Sequence, residues 1–253
     1  MRAQNIRRAL VLMLALALLV TGCAADKAYR QKQARARRDL GERYLASDQA
    51  SKALEQFLKA HEIYPDDPIL HYDLASVYVE KRRFDKAEFH LKEAIGLKPD
   101  YSAAYNYLGV LYFRKGEVDL AIEAYQKALE NMLYANPQFP HLNLGVAYLS
   151  RNEYRKAILH LEEAIRFVPN YVDAYNNLGR AYEGLGQYGK AKVYYEKALE
   201  FNPQYVNAYL NLGKLSYRSG ERQKAREYFI QVIRLGPDSE EAKEAQGYLR
   251  KLK

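Results

Sequence analysis

The chain has 253 residues, 28% of them charged and 49% hydrophobic, with a formal net charge of +8. This composition is globular and excludes a disordered chain, and its length allows one or two domains. No Lys/Arg-rich stripe interleaves with aromatics, which argues against nucleic acid as a partner, and one cysteine excludes an internal disulfide.

The chain opens with a basic stretch carrying Arg2, Arg7 and Arg8, followed by an apolar run from Ala9 to Val20. A membrane-spanning helix needs ~20 residues to cross ~30 Å of hydrocarbon, and this run is shorter. It has the length of the apolar region of a secretory signal. Val20-Thr21-Gly22-Cys23 follows, with small residues leading to the only thiol of the chain. This arrangement resembles the bacterial lipobox. The resemblance implies that residues 1–22 are a cleaved signal peptide and that Cys23 is lipidated and becomes the first mature residue. Residues 23–33 are then a short lipidated segment. Each buried CH₂ contributes ~0.8 kcal/mol, so two or three acyl chains anchor the protein durably. The residue after Cys23 is Ala24, not the Asp that marks inner-membrane retention among Gram-negative lipoproteins. The resemblance therefore implies an outer-membrane lipoprotein on the periplasmic face, with surface exposure as the alternative.

From residue 34 onward one pattern recurs. Pro65, Pro99, Pro169, Pro203 and Pro237 are spaced by 34, 70, 34 and 34 residues. Before Pro203 stand Ala198, Tyr195, Ala191, Tyr182, Gly179, Leu178 and Tyr175; equivalent residues precede each of the other prolines. This resembles the 34-residue tetratricopeptide repeat, a helix-turn-helix unit. A small residue on the first helix and an Ala on the second allow close approach, and aromatics fill the remaining space. Proline cannot sit in a helix interior and marks the next unit. Asp66, Asp100, Asn170 and Asp238 suit capping and turn roles beside it. The expected fold is all-α: a right-handed superhelical solenoid of six repeats, 34–67, 68–101, 102–135, 138–171, 172–205 and 206–239, with a capping helix over 240–253. Asn136-Pro137 interrupts the register. The segment from Glu130 to Pro140 is expected either to lengthen a helix or to form a wider turn.

The repeats leave little room for catalysis. His61, His71, His90, His141 and His160 show no i, i+4 metal-ligand spacing, and His71 and His141 stand at the repeat's first aromatic position. The repeat glycines do not form a phosphate loop. The sequence predicts no enzyme, no metal, no cofactor and no small-molecule substrate. The first helix of each repeat is expected to line a concave groove that binds a protein client. Its candidate residues are Arg38, Glu42, Tyr72, Val79, Asn106, Val110, Phe113, Phe139, Leu142, Val146 and Leu149. The middle of this set is apolar and suits an amphipathic helix or an apolar peptide; Asn176, Arg180 and Lys214 make the C-terminal end polar. Glu42 stands where a clamp for C-terminal carboxylates needs a neutral or basic group, which sets that mode aside.

A lipobox joined to six repeats, with Leu133-Tyr134-Ala135-Asn136-Pro137 running into Leu142-Asn143-Leu144-Gly145, resembles the type IV pilus lipoproteins of the PilF, PilW and Tgl type. That resemblance implies pilotin activity: binding an outer-membrane secretin subunit and promoting its assembly. The alternative is a lipoprotein adaptor for peptidoglycan hydrolases or synthases.

Overall fold

The computed structural model describes residues 26–252. The signal peptide and Cys23 lie outside the described residues. Among the described residues there are thirteen helices and no strand. They divide into two compact units, with the division in the first turn of α5, after Ala104.

The first unit contains α1 (residues 26–46), α2 (Ala50–Ile63), α3 (Pro68–Glu80) and α4 (Phe84–Leu97). The second contains most of α5 (Ser102–Lys115), then α6 (Val118–Glu130), α7 (Gln138–Ser150), α8 (Tyr154–Phe167), α9 (Val172–Gly184), α10 (Tyr188–Phe201), α11 (Val206–Arg218), α12 (Arg222–Leu235) and α13 (Glu240–Lys251). In each unit the two helices of a repeat pack as a pair, and the second helix of a repeat packs on the first of the next.

The small residues of the pattern explain the pairing. A Cβ built on Gly179 would lie 2.4 Å from the ring of Tyr195, and one on Gly145 would lie 2.5 Å from Leu161. Phe57, Tyr125, Leu161, Tyr195 and Phe229 are all essentially inaccessible, so each fills the space beside a Cβ-less backbone. Ala53, Ala87, Ala121, Ala157, Ala191 and Ala225 are fully buried at the start of the second helices. Burying ~25 cal/mol per Å² of apolar area at every such contact is the main stabilising contribution.

The turn inside each repeat has its own signature. Asp48, Arg82, Gly116, Asn152, Gly186 and Gly220 all have positive φ, between 56° and 81°. The amide after each returns to the carbonyl of the repeat tyrosine: Gln49 to Tyr44, Arg83 to Tyr78, Glu117 to Tyr112, Glu153 to Tyr148 and Gln187 to Tyr182, with Ser216 replacing Tyr for Glu221. This is the left-handed closure of a helix C-terminus.

Between repeats, the proline carbonyl is an acceptor. His71 Nε2 donates to Pro65 O at 2.9 Å, Tyr175 OH to Pro169 O at 3.1 Å, and Tyr209 OH to Pro203 O at 3.2 Å. The capping side chains are one residue later than the sequence suggests. Asp67, not Asp66, caps α3 through the amides of Ile69 and Leu70, and Ser239, not Asp238, caps α13 through Ala242 N. Pro68 holds the N1 position that fixes this frame. The interrupted junction forms a wider turn: α6 stops at Glu130 and α7 starts at Gln138. The last helix buries Ala242 and Ala245, its C-cap residue Leu252 is buried too, and Tyr248 stacks on Phe229 at 4.9 Å.

Candidate partner-binding site

In the first unit Arg38 projects from α1 and is surrounded by carboxylates. Its Nη1 lies 3.0 Å from Asp67 Oδ2 and its Nε 3.3 Å from Glu42; Asp39 and Asp73 stand at 3.7 and 3.9 Å. Only 12% of the Arg38 side chain is accessible. Asp67 thus holds a helix end and a guanidinium together. Burial, then the neighbouring Glu42, push the Asp73 carboxyl up to about 7 against the pull of Arg38. Tyr72 is half-buried, its ring 5.6 Å from that of Tyr101, and burial raises both phenols. Arg38 is therefore committed to this unit's own acids, while Glu42 remains exposed. Val79 is buried at 8% exposure, which corrects its reading as an open groove residue: α3 is apolar around most of its surface and is enclosed by its neighbours.

In the second unit the first helices are tied by side-chain amides. Asn143 Nδ2 donates to Asn106 Oδ1 at 3.0 Å, linking α7 to α5. Asn211 Nδ2 donates to Asn176 Oδ1 at 2.9 Å, linking α11 to α9. Val110, Phe113, Leu142 and Val146 stay partly accessible on α5 and α7, and Phe139 is exposed at the start of α7. Leu149 is buried at 8%, a second correction to the expected apolar stripe. Its remaining surface lines a recess of about 440 Å³ together with Arg180, Asn211, Lys214 and Arg218.

The larger recess of this unit, about 510 Å³, is lined by Val146, Asn176, Asn177, Arg180, Asn211, Lys214 and neighbours on α11 and α13. Lys214 pairs with Glu244 at 2.6 Å, and Arg218 pairs with Glu183 at 3.2 Å. Arg180 is held by Asn177 Oδ1 at 2.9 Å instead of by an acid. Asn177 is fixed in turn by donating to Asp173 O. The wall is thus mixed: partly exposed aliphatic side chains on α5 and α7, amides and cations on α9 and α11. Such a surface offers hydrogen-bond donors and acceptors to a peptide main chain and apolar contact to its side chains. Asn143 and Asn211 were not among the sequence candidates. The recurring Asn-Leu-Gly at 143–145, 177–179 and 211–213 was the signal that marks them.

Four histidines form pairs across a repeat, the first pair buried and the second half-buried. His71 Nδ1 meets His90 Nδ1 at 3.0 Å, and His141 Nδ1 meets His160 Nδ1 at 3.2 Å. The same two positions hold Arg37 hydrogen-bonded to Gln56, and stacked Tyr175 and Tyr194. Among the described residues no group of three or more His, Cys, Asp or Glu is arranged to hold a metal ion.

Models of the tetratricopeptide repeat match residues 32–101, 72–138, 172–205 and 194–227, and a TPR repeat model matches 145–186. The chain belongs to the tetratricopeptide-repeat family. Its fold is similar to that of PilW, described as a widely conserved type IV pilus biogenesis factor, with a TM-score of 0.78 at 23% identity over 84% of this chain and 98% of PilW. Pseudomonas aeruginosa PilF gives a TM-score of 0.75 at 23% identity over 87% of this chain and 99% of PilF. At that identity these likenesses establish the fold. Among curated proteins, the anaphase-promoting complex subunit CDC16 of Saccharomyces cerevisiae is 29% identical over 138 residues, 52% of this chain and 16% of CDC16. The Hsp70-Hsp90 organising protein of Plasmodium falciparum is 29% identical over 157 residues, 50% of this chain and 28% of that protein. The tetratricopeptide protein thus spans less than a third of the length of these curated relatives, and what it shares with them is the repeat.

Proposed function

We propose that this tetratricopeptide protein is a lipid-anchored pilotin: an outer-membrane lipoprotein that binds a secretin subunit and promotes its assembly for type IV pilus biogenesis. The observation that carries the reading is co-extension. The described helices match PilW over 98% of that protein's chain, and the segment ahead of them ends in Val20-Thr21-Gly22-Cys23. Lipidation at Cys23 would place the repeats on the periplasmic face, where secretin subunits arrive. The partly exposed Val110, Phe113, Leu142 and Val146 beside the Asn106–Asn143 pair supply the surface for a client segment. No catalytic step is needed: a scaffold acts by holding a subunit that would otherwise expose apolar surface.

The test is an immunoblot for heat-resistant secretin multimers in outer-membrane fractions from wild-type, deletion, Cys23→Ala and Leu142→Glu strains. The expected result is loss of multimers in the deletion and in Leu142→Glu, and mislocalised multimers in Cys23→Ala. Unchanged multimers in every strain, with co-purification of a peptidoglycan hydrolase or synthase, would replace this reading with the cell-wall adaptor.

A further inference from the structure

The most exposed apolar side chains of the described residues are adjacent. Met132 is 97% and Leu133 92% accessible, whereas the next large hydrophobic residue, Tyr29, reaches 62%. They stand at the apex of the turn between α6 and α7, in the segment that breaks the 34-residue register. The turn is built, not merely long. Asn131 Oδ1 accepts from Leu133 N at 3.0 Å and Asn131 O from Tyr134 N at 3.0 Å. At its other end Asn136 O accepts from Phe139 N, and Asn136 Oδ1 from Gln138 Nε2, both at 3.3 Å. Residues 131–150 contain no Asp, Glu, Lys or Arg, in a chain that is 28% charged. Asn131, Met132, Leu133, Tyr134 and Phe139 thus form an uncharged projection with apolar tips.

We propose that the Met132–Leu133 tip inserts into the lipid bilayer, as a second membrane contact beside the anchor; the proposal rests on the reading of Cys23 as lipidated. Three observations favour lipid over a protein pocket. Two side chains that are almost fully accessible on a protruding turn can be buried only by a partner that surrounds them. Hydrocarbon does this without a preformed cavity. An ionised side chain is costly to bring into a bilayer; residues 131–150 carry none, and Glu130 at the end of α6 is paired with Lys127 at 2.9 Å. Only Ala24 and Ala25 separate Cys23 from Asp26, the first residue described in α1, so the tether is short. A short tether raises the effective concentration of the chain at the surface, where the acyl chains already supply durable attachment.

The chain has no Trp, so one introduced Trp is a clean probe. The chain from Cys23 to Lys253, carrying Leu133→Trp, is coupled through Cys23 to a maleimide lipid in phosphatidylethanolamine/phosphatidylglycerol vesicles with brominated acyl chains. The expected result is a blue shift and bromine quenching, absent in Leu159→Trp, which reports from the exposed Leu159 on α8. The shift is also expected to disappear when Met132→Asp is added to Leu133→Trp. Emission that stays solvent-like on the tethered vesicles would overturn the proposal. So would a blue shift that needs no vesicles and grows with protein concentration, which assigns the tip to contact between copies. A shift produced by purified secretin subunit without lipid would overturn it in favour of a protein pocket. The tether here is chemical, so a solvent-like probe sinks insertion alone. Failure of the Cys23 reading is seen separately, as a full chain that takes up no fatty-acid label in cells.

Discussion

At the scale of the residue, three backbone positions carry predictions, one opposite in sign to the other two. Arg82 has φ 56° at a turn where other repeats place Gly116, Gly186 and Gly220. Left-handed backbone costs an L-residue about 1–2 kcal/mol, so Arg82→Gly is expected to stabilise the protein by about 1 kcal/mol, read as a higher urea midpoint. Gly179 is the reverse case. A methyl there would meet Tyr195, whose ring is fully buried and has nowhere to turn. Gly179→Ala is expected to cost about 1–3 kcal/mol, the usual penalty of overpacking. Gly247 lies inside α13 with nothing within 4 Å of an added Cβ. Gly247→Ala is expected to gain about 0.5–1 kcal/mol, so the two glycine variants shift the midpoint in opposite directions. The small residues were legible in the sequence as a period. The left-handed turn residues were not, because Asp48, Arg82 and Asn152 break the glycine pattern that would have marked them.

At the scale of the element, five of the six repeats pair side chains 19 residues apart, and the identity of the pair changes from repeat to repeat. The histidine pairs give this pairing a pH dependence. Burial lowers the pKa of all four rings, with His90 and His160 brought down to about 4. An unfolded histidine titrates near 6.5. Between those values the unfolded chain binds more protons, so stability is complete above about pH 6.5 and is lost as pH falls toward 4. The expected loss is about 2 kcal/mol per pair between pH 7 and 5, seen as a falling Tm. Replacing both pairs by the tyrosines used at 175 and 194 is expected to flatten that part of the profile. An unchanged slope would mean that the pairs do not carry it. The sequence identified His71 and His141 as packing residues. Their partners escaped notice because a contact between two helices of a hairpin spans 19 residues, far beyond the i, i+4 spacing that marks neighbours on one helix.

At the scale of the molecule, the binding reading makes its own prediction about the second unit. Asn176 and Asn211 satisfy each other, so removing both leaves no orphaned amide and costs little in folding. Asn176→Ala with Asn211→Ala is expected to weaken capture of the purified secretin subunit about tenfold, or ~1.4 kcal/mol, with the urea midpoint nearly unchanged. Equal capture by the double variant would place the client elsewhere, on the partly exposed Leu142 and Val146 alone. The mixed wall also explains why the expected apolar stripe was only partly found. Helical spacing assigns residues to a face, but not to a depth on that face. Val79 and Leu149 lie on the assigned helices and keep only 8% of their surface accessible.

The sequence by itself determined the repeat, its small-residue contacts and the all-helical class, because each depends on periods within a single unit of chain. It also set the break at Asn136-Pro137, where the proline stands out of register. Tertiary structure decided what no local period encodes. It showed which carboxylates surround Arg38, which histidines meet, and which asparagines bridge successive first helices. It also showed that Met132 and Leu133 stand outside every core. Those outcomes follow from the distances between helices that the chain brings together only after folding, where burial and hydrogen bonding choose among side chains that the sequence leaves equivalent.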